Sequence, residues 1–156
     1  MKSLPNPHPV LVHFPIALLV TALLFDIACL ALRRSVWLDR AAVSLYGLGL
    51  LGAGAAAWAG KLAADQVGRV PSEVEQLIAN HGDWAFATIV AFIGIAMLRF
   101  EVAWRDRQQP ILSRSRLRLI ALALAVFGQW LLFETADRGA RLVYRHGVAV
   151  GSASPI

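Results

Sequence analysis

Residues 14–32, FPIALLVTALLFDIACLAL, decide the fold class. Asp26 is the only charged residue in this stretch, which is close to the roughly 20 residues that a helix needs to cross a bilayer. Similar stretches follow at about 41–64, 84–100 and 117–134. They lack the alternation of a barrel strand, and backbone groups in lipid must bond within their own segment. The sequence therefore predicts an all-α integral membrane protein, an up-and-down bundle of four transmembrane helices.

The composition of the whole chain agrees with a membrane protein. Of its 156 residues, 58% are hydrophobic and 16% are charged, whereas soluble domains carry about 25% charged residues. The mean hydropathy is +0.60. We expect one domain, residues 1–156, because four spans leave no room for a soluble one. The start, MKSLPNPHPV, leads into the first span without a small-residue cleavage site, so we expect no signal peptide.

The positive charges indicate topology rather than nucleic-acid binding. The net charge is +5, but the arginines lie at the ends of apolar stretches and form no basic face, so we expect no nucleic-acid partner. By the positive-inside rule the first and third links are expected in the cytoplasm, with both termini on the outer side. The arginines of those links are Arg33, Arg34, Arg40, Arg105, Arg107, Arg114 and Arg116, against Lys61 and Arg69 in the middle link. Arg138, Arg141 and Arg145, after the fourth span, favour the opposite orientation.

Two other segments indicate local structure. Pro71-Ser72-Glu73-Val74-Glu75 is typical of a helix start with a capping box, which predicts a short surface helix at about 73–79 that ends at Asn80.

The second span is rich in glycine: Gly47, Gly49, Gly52, Gly54 and Gly60. Small residues let helices approach closely, so this span is the predicted packing helix and a possible homodimer contact. A wall of glycine also leaves room for a flat ligand.

Four histidines are the main candidates for chemistry. His8, His13, His81 and His146 all fall near the predicted outer face, and neutral histidine binds haem iron, copper and zinc. The first and third helices are diagonal in an up-and-down bundle, roughly 12 to 14 Å apart, so two inward imidazoles can hold one iron. We therefore expect His13 and His81 to be axial ligands of a b-type haem, with His8 and His146 as further cofactor-binding candidates. The alternative for each histidine is a helix-entry, interfacial or tail hydrogen-bonding role.

The acidic residues suggest second roles. Asp26 lies inside the first span, where we expect it to pair with Arg99 or Arg118 from a neighbouring helix; a proton relay is the alternative. Three further acids lie near the histidines at the predicted outer face: Asp65, Glu134 and Asp137. They either orient the histidine rings by hydrogen bonds or are solvated residues at helix ends. The sequence has no motif of a hydrolase or a phosphate-binding loop, so we expect a binding or electron-transfer protein rather than an enzyme.

The order of these features resembles a known family. HPVLVHFPIALL at His8–Leu19, the glycine-rich second span, a histidine before the third span and LVYRHGVAVG at Leu142–Gly151 are similar to the bacterial membrane family catalogued as domain of unknown function 2231. The resemblance covers nearly the whole chain and implies a four-span bundle in a bacterial cytoplasmic (inner) membrane, with matching histidine positions. Some relatives are fused to Rieske or c-type cytochrome domains, which implies a redox role without an assigned activity.

Three functions follow as hypotheses. The first is a small redox protein in the lipid bilayer that binds haem b and exchanges electrons with a quinone or a periplasmic partner. The second is a structural or assembly subunit without a cofactor, in which the glycine-rich helix packs on a partner. The third is a copper- or zinc-binding membrane protein that uses three or four of the histidines.

Overall fold

The structure is a computed structural model that describes residues 7–32, 35–108 and 115–148, without the side chains of 106–108 and 115. The regular elements within those ranges are all helices: α1 at His8–Leu11, α2 at His13–Ala31, α3 at Val36–Asp65, α4 at Ser72–Gln108 and α5 at Ser115–His146. Arg33, Arg34 and Arg114 of the predicted arginine links lie outside the described residues, as does the side chain of Arg107.

Four helices are long and apolar enough to cross a membrane, which confirms the number of predicted spans. They run over His8–Ala31, Val36–Asp65, Ser72–Arg105 and Arg116–His146. The last helix continues well beyond the predicted end at about 134. Its final turns are stabilised by ion pairs one turn apart, Arg138 with Glu134 and Arg141 with Asp137. The side of the membrane that each end faces stays a prediction.

The third span differs from its prediction. Helix α4 begins at Ser72, after Pro71, whose carbonyl accepts from the backbone N–H groups of Val74 and Glu75. The predicted break at Asn80 is absent, so residues 73–79 are the first turns of one continuous helix. The Asn80 side chain accepts a hydrogen bond from Arg138 Nε at 3.2 Å, which ties this part of α4 to α5. No proline interrupts the helix after Pro71, so an uninterrupted backbone is favoured.

The helices form two hairpins that pack side by side. In the first hairpin α2 packs on α3, with α1 continuing α2 at its start; in the second, α4 packs on α5. Contacts of α3 with α4 and of α2 with α5 close the ring, which leaves α2 and α4 on a diagonal. We call the end with His8 and His81 the histidine end, and the end with Asp39, Arg99 and Arg118 the arginine end.

The second hairpin repeats the structure of the first. In the leading helices, positions 73 residues apart have the same burial: 15 and 88, 19 and 92, 22 and 95, 26 and 99, and 29 and 102 are all buried. In the following helices, positions 79 residues apart correspond, as in Ala42 with Ala121 and Gly49 with Gly128. A Cβ at Gly49 would lie 2.6 Å from Leu19, and one at Gly128 would lie 3.0 Å from Phe92, the equivalent core residue. Both hairpins therefore pack through a glycine at the same place.

Equivalent residues of the two hairpins contribute to the same central core. Its buried residues form three equivalent pairs: Leu19 and Phe92, Ala22 and Ile95, and Tyr46 and Ala125. Toward the two ends of the bundle, the equivalent residues His8 and His81, and Asp26 and Arg99, contact each other, as residues beside a two-fold axis do. The bundle thus has an approximate two-fold axis along its length, an arrangement that membrane proteins built from parallel repeats share.

Candidate functional site

The histidine end holds a mainly apolar cavity of about 360 Å³ between the two hairpins. Its walls are largely alanine, glycine and aliphatic side chains from α2, α3, α4 and α5. The polar side chains that line it include His8, His13, His81, Thr88 and Thr135. A mostly apolar cavity with a few convergent polar groups is the usual form of a small-molecule or cofactor site.

His8 and His81 come together at this cavity. The centroids of their rings are 6.3 Å apart, and the ring planes make an angle of 76°. They occupy equivalent positions of the two hairpins, so the approximate two-fold axis passes between them. His8 lies in α1 and His81 lies in α4, so the packing of the helices, and not their order in the sequence, brings the two rings together.

Each of these rings is fixed by a backbone carbonyl of its own hairpin. His8 Nδ1 donates to the Ala56 carbonyl at 2.8 Å, and His81 Nδ1 donates to the Thr135 carbonyl at 3.1 Å. A neutral imidazole that donates from Nδ1 carries its lone pair on Nε2, which is the form that binds a metal. Metal-binding histidines usually have such a carbonyl partner on the other nitrogen.

Glycine makes both contacts possible. The residue four positions after Ala56 is Gly60, and the residue four positions after Thr135 is Gly139. In an α-helix the carbonyl of residue i points toward residue i+4, so a side chain there would block a ring that approaches the carbonyl. A Cβ at Gly60 would lie 2.9 Å from His8 Cε1, and one at Gly139 would lie 3.0 Å from His81 Cε1.

A threonine pair supports the second of these contacts. The Thr88 and Thr135 hydroxyls are 2.8 Å apart. Each hydroxyl also lies within hydrogen-bond distance of the carbonyl one turn earlier, Thr88 at 2.8 Å from Trp84 and Thr135 at 2.9 Å from Leu131. Since each hydroxyl has a single proton, one threonine donates to the other and the second donates to the carbonyl of its own helix. The pair therefore joins α4 to α5 one to two turns from His81 and holds the carbonyl that its ring contacts.

The other two histidines have different positions. His13 lines the same cavity but is exposed, and its Nδ1 donates to the Pro9 carbonyl at 2.7 Å. His146 is the last residue of α5; it is exposed and does not line the cavity. After it, Gly147 adopts a left-handed φ of 62° that closes the helix. Helix α5 thus carries His146 about 10 Å along its axis beyond Gly139.

The arginine end holds a second cluster of polar side chains. Arg99 Nε donates to both Asp26 oxygens at 3.0 Å, and Arg99 Nη2 donates to Asp26 Oδ1 at 2.6 Å and to Asp39 Oδ1 at 3.0 Å. Tyr46 donates to Asp26 Oδ2 at 3.1 Å, and Arg118 Nη1 lies 3.3 Å from Asp39 Oδ1. The prediction that Asp26 pairs with Arg99 or Arg118 is confirmed for Arg99, whereas Arg118 pairs with Asp39.

The approximate symmetry explains the composition of this cluster. Asp26 is equivalent to Arg99, and Asp39 is equivalent to Arg118. The first hairpin supplies both acids and the second supplies both bases, so the buried charges balance across the axis. A balanced, hydrogen-bonded set is the form in which charge is tolerated inside a bundle.

A known protein family matches almost the whole chain. The family described as "Predicted membrane protein (DUF2231)" matches residues 5–152, which include both hairpins and all four histidines. The chain belongs to this family. Its description names no activity, and no curated protein or solved structure matches the chain.

Sequence reasoning on this family member missed several site residues. The sequence does not identify Asp39 or Tyr46 as members of the charged cluster: Asp39 precedes the predicted start of the second span at about 41, and Tyr46 lies within that span. Gly60 and Gly139 were not connected with the histidines. The 18-residue spacing from His8 to Asp26, repeated from His81 to Arg99, is the signal that points to the repeat.

His8 and His81 are the candidate metal ligands that contact each other, and His13 lines the same cavity. In the part of the chain that the structure describes, no three His, Cys, Asp or Glu side chains are grouped to hold a metal ion. Glu134 pairs with Arg138 and Asp137 with Arg141, so both carboxylates bond within α5. The copper or zinc hypothesis would need ligands beyond His8 and His81, because such ions usually take three or four from the protein.

Proposed function

We propose that this chain is a small membrane redox protein that binds one b-type haem at the histidine end, between His8 and His81. The observation that carries the proposal is the 6.3 Å separation of their ring centroids. Metal–imidazole bonds are about 2 Å long and the ring nitrogen lies about 1 Å from its centroid, so two imidazoles on opposite sides of one ion have centroids roughly 6 to 6.5 Å apart. The pair already has this separation.

The residues present fit such a group in three respects. A porphyrin supplies four ligands to its iron, so two histidines complete the set. The cavity of about 360 Å³ is mainly apolar and lies in the range of ligand sites, roughly 300 to 1,000 Å³. The carbonyls of Ala56 and Thr135 hold both rings in the tautomer that ligates through Nε2.

The geometry favours His8 over His13 as the partner of His81. Both histidines line the cavity, but His8 reaches across to α3, whereas His13 bonds to Pro9 in its own segment. His8 and His81 are also equivalent under the approximate two-fold axis, so each hairpin contributes one ligand in the same way. A haem bound there would supply a one-electron couple.

The chain's own residues would set the properties of that couple. The Ala56 and Thr135 carbonyls accept from the ring Nδ1–H groups and so make the ligands more electron-rich. The apolar wall limits water at the site. Electron exchange would then take place at the histidine end, with a quinone or a redox partner on the outer side that the arginine distribution predicts.

A visible spectrum tests the proposal. The protein is purified in detergent from cells supplied with haem precursor, and spectra are recorded oxidised and after dithionite. Sharp reduced bands of a six-coordinate b-type cytochrome are expected. We expect His8→Ala and His81→Ala each to lose those bands, whereas His146→Ala keeps them and controls for the loss of a histidine. His13→Ala should also keep the bands; if it loses them and His8→Ala does not, the ligand pair is His13 and His81.

A structural or assembly subunit is the second candidate. Gly47 and Gly54 lie two turns apart on α3, and a Cβ at either would meet no atom within 4 Å. Such an exposed small-residue face is typical of helix–helix contacts in membranes. A colourless wild-type protein under the conditions above, together with a partner that copurifies in fixed ratio, would favour this function over the redox proposal.

A further inference from the structure

The arginine end contains a second, smaller cavity that the redox proposal does not use. It has a volume of about 90 Å³ and lies between α2 and α5, with Arg99 of α4 at its inner wall. The lining residues are Asp26, Cys29, Leu30, Arg99, Arg118, Leu119 and Leu122. Leu30 and Leu119 are about half exposed, so the cavity opens on the lipid-facing surface of the bundle.

Arg99, which lines this cavity, has one buried donor that lacks a partner among the described residues. The side chain of Arg99 is 3% exposed, and its Nη1 has no hydrogen-bond acceptor, although its Nε and Nη2 are fully used by Asp26 and Asp39. An unsatisfied buried guanidinium N–H is costly, so an acceptor is expected beside it. The two aspartates and two arginines of the cluster already balance in charge.

The cavity is present at only one of the two seams that the approximate two-fold symmetry relates. The equivalent place is the contact between α3 and α4, where Ala103 takes the position of Leu30. Ala103 is 8% exposed and Leu30 is 52% exposed, so the seam between α3 and α4 is closed while that between α2 and α5 is open. The open seam is therefore specific to one side of the molecule.

The surroundings indicate what occupies it. Trp104 lies five residues beyond Arg99, about 7 to 8 Å along α4, and exposed tryptophans mark the membrane interface. Arg40, Arg105 and Arg116 are exposed at this end of the bundle, Arg105 in a pair with Glu101 and Arg116 on α5 itself. The cavity thus places leucine side chains beside the Arg99 guanidinium, just below the membrane interface, and exposed arginines lie at the interface itself. Basic pockets between transmembrane helices bind the head groups of anionic lipids.

We propose that the seam between α2 and α5 binds one anionic phospholipid. A glycerol or phosphate oxygen accepts from Arg99 Nη1, the head group lies toward the exposed arginines, and an acyl chain runs along Leu30, Leu119 and Leu122. The site lies at the opposite end of the bundle from His8 and His81 and does not depend on haem.

Native mass spectrometry of the detergent-purified protein tests this site. Phosphatidylglycerol, phosphatidylcholine and inorganic phosphate are added separately. The wild type should retain one phosphatidylglycerol with roughly tenfold preference over phosphatidylcholine, since each nearby arginine favours an anionic head group. Inorganic phosphate alone should give no adduct. Equal retention of both lipids, or a phosphate adduct without lipid, would overturn the proposal.

Two matched tryptophan variants locate the lipid. Leu119→Trp blocks the mouth of the cavity from an exposed position and should reduce phosphatidylglycerol retention about tenfold. Leu124→Trp is also on α5 and exposed, but it does not line the cavity, and it should retain lipid as the wild type does. If both variants behave alike, the lipid does not bind in this seam. Circular dichroism confirms that each variant is folded before it is compared.

Discussion

At the scale of single residues, Gly60 and Gly139 determine whether the histidine rings reach their carbonyl partners. Both glycines lie in helices with ordinary backbone angles, so their role is space rather than conformational freedom. A Cβ at either position would lie 3.0 Å or less from the adjacent ring. Real Cβ contacts are rarely that close, so the ring must move.

If the histidine end binds haem as proposed, Gly139→Val is expected to weaken that binding. The added side chain displaces His81 from the Thr135 carbonyl, and loss of such a supporting contact costs roughly 10- to 100-fold in metal affinity. Haem absorbance per mole of protein, titrated with added haem, measures the change. Gly54→Val is the control, because it introduces the same β-branched residue into open space on α3. An equal effect of both variants would mean that the substitutions act through helix stability.

Asp26→Leu is expected to destabilise the protein strongly. It leaves the buried Arg99 guanidinium without its main partner, which typically costs about 3 to 5 kcal/mol. The double variant Asp26→Leu with Arg99→Leu should be more stable than Asp26→Leu alone, because it removes the buried guanidinium that Asp26→Leu leaves without its main partner. Thermal unfolding in one detergent, followed by circular dichroism, ranks the three proteins. A double variant that unfolds below Asp26→Leu would contradict this account.

Sequence reasoning succeeded for residues whose environment is extreme. An acid inside an apolar span needs a cationic partner, so Asp26 with Arg99 could be predicted. Asp39 has the same role, but it lies near the start of α3, where a solvated position is equally reasonable from sequence. His8 and His13 are both near a helix start, and only the fold shows which one reaches α3.

At the scale of elements, the continuity of α4 is the main difference from the prediction. Ser72 and Glu75 are typical of a helix start, and the helix does start there. Asn80 and Gly82 resemble a helix end by composition, since both residues favour termini. Bonds from Asn80 to Arg138 and from His81 to α5 override that local preference, and they place His81 inside the bundle instead of in a link.

Gly82→Pro should distinguish a continuous helix from two separate ones. Proline inside a helix removes a hydrogen bond and clashes with the preceding turn, at a cost of about 3 kcal/mol, whereas a proline in a link would be tolerated. Gly82→Ala is the control; its Cβ would meet no atom within 4 Å, and alanine is favoured over glycine by up to about 1 kcal/mol in a helix. Thermal unfolding should thus show a lower midpoint for proline and an equal or higher one for alanine. A proline variant as stable as the wild type would indicate a break near Asn80.

At the scale of the whole molecule, four spans and an all-helical fold could be predicted because lipid imposes length and backbone bonding on any sequence. The repeat could not be predicted in the same way. Leu19 corresponds to Phe92, Asp26 to Arg99 and Tyr46 to Ala125, so the few identical pairs, such as Gly49 with Gly128, stand among equivalent positions with different side chains. What the two hairpins share is the order of buried and exposed positions, and that order becomes visible once helices are packed.

The repeat predicts that the chain can be divided between the hairpins. We expect residues 1–68 and 69–156, expressed together as two chains cut in the link after exposed Gly68, to copurify one to one in detergent. Each hairpin has its own tight internal contacts, and the Asp26–Arg99 pair joins the two across the axis.

Arg99→Asp in the second fragment should abolish copurification, because it places a third carboxylate beside Asp26 and Asp39. Asp26→Arg in the first fragment should then restore part of it, since equivalent positions face each other and exchange of the charges preserves the pair. Recovery with an unrelated charge change, such as Asp65→Arg, would show that net charge rather than this pairing holds the hairpins together.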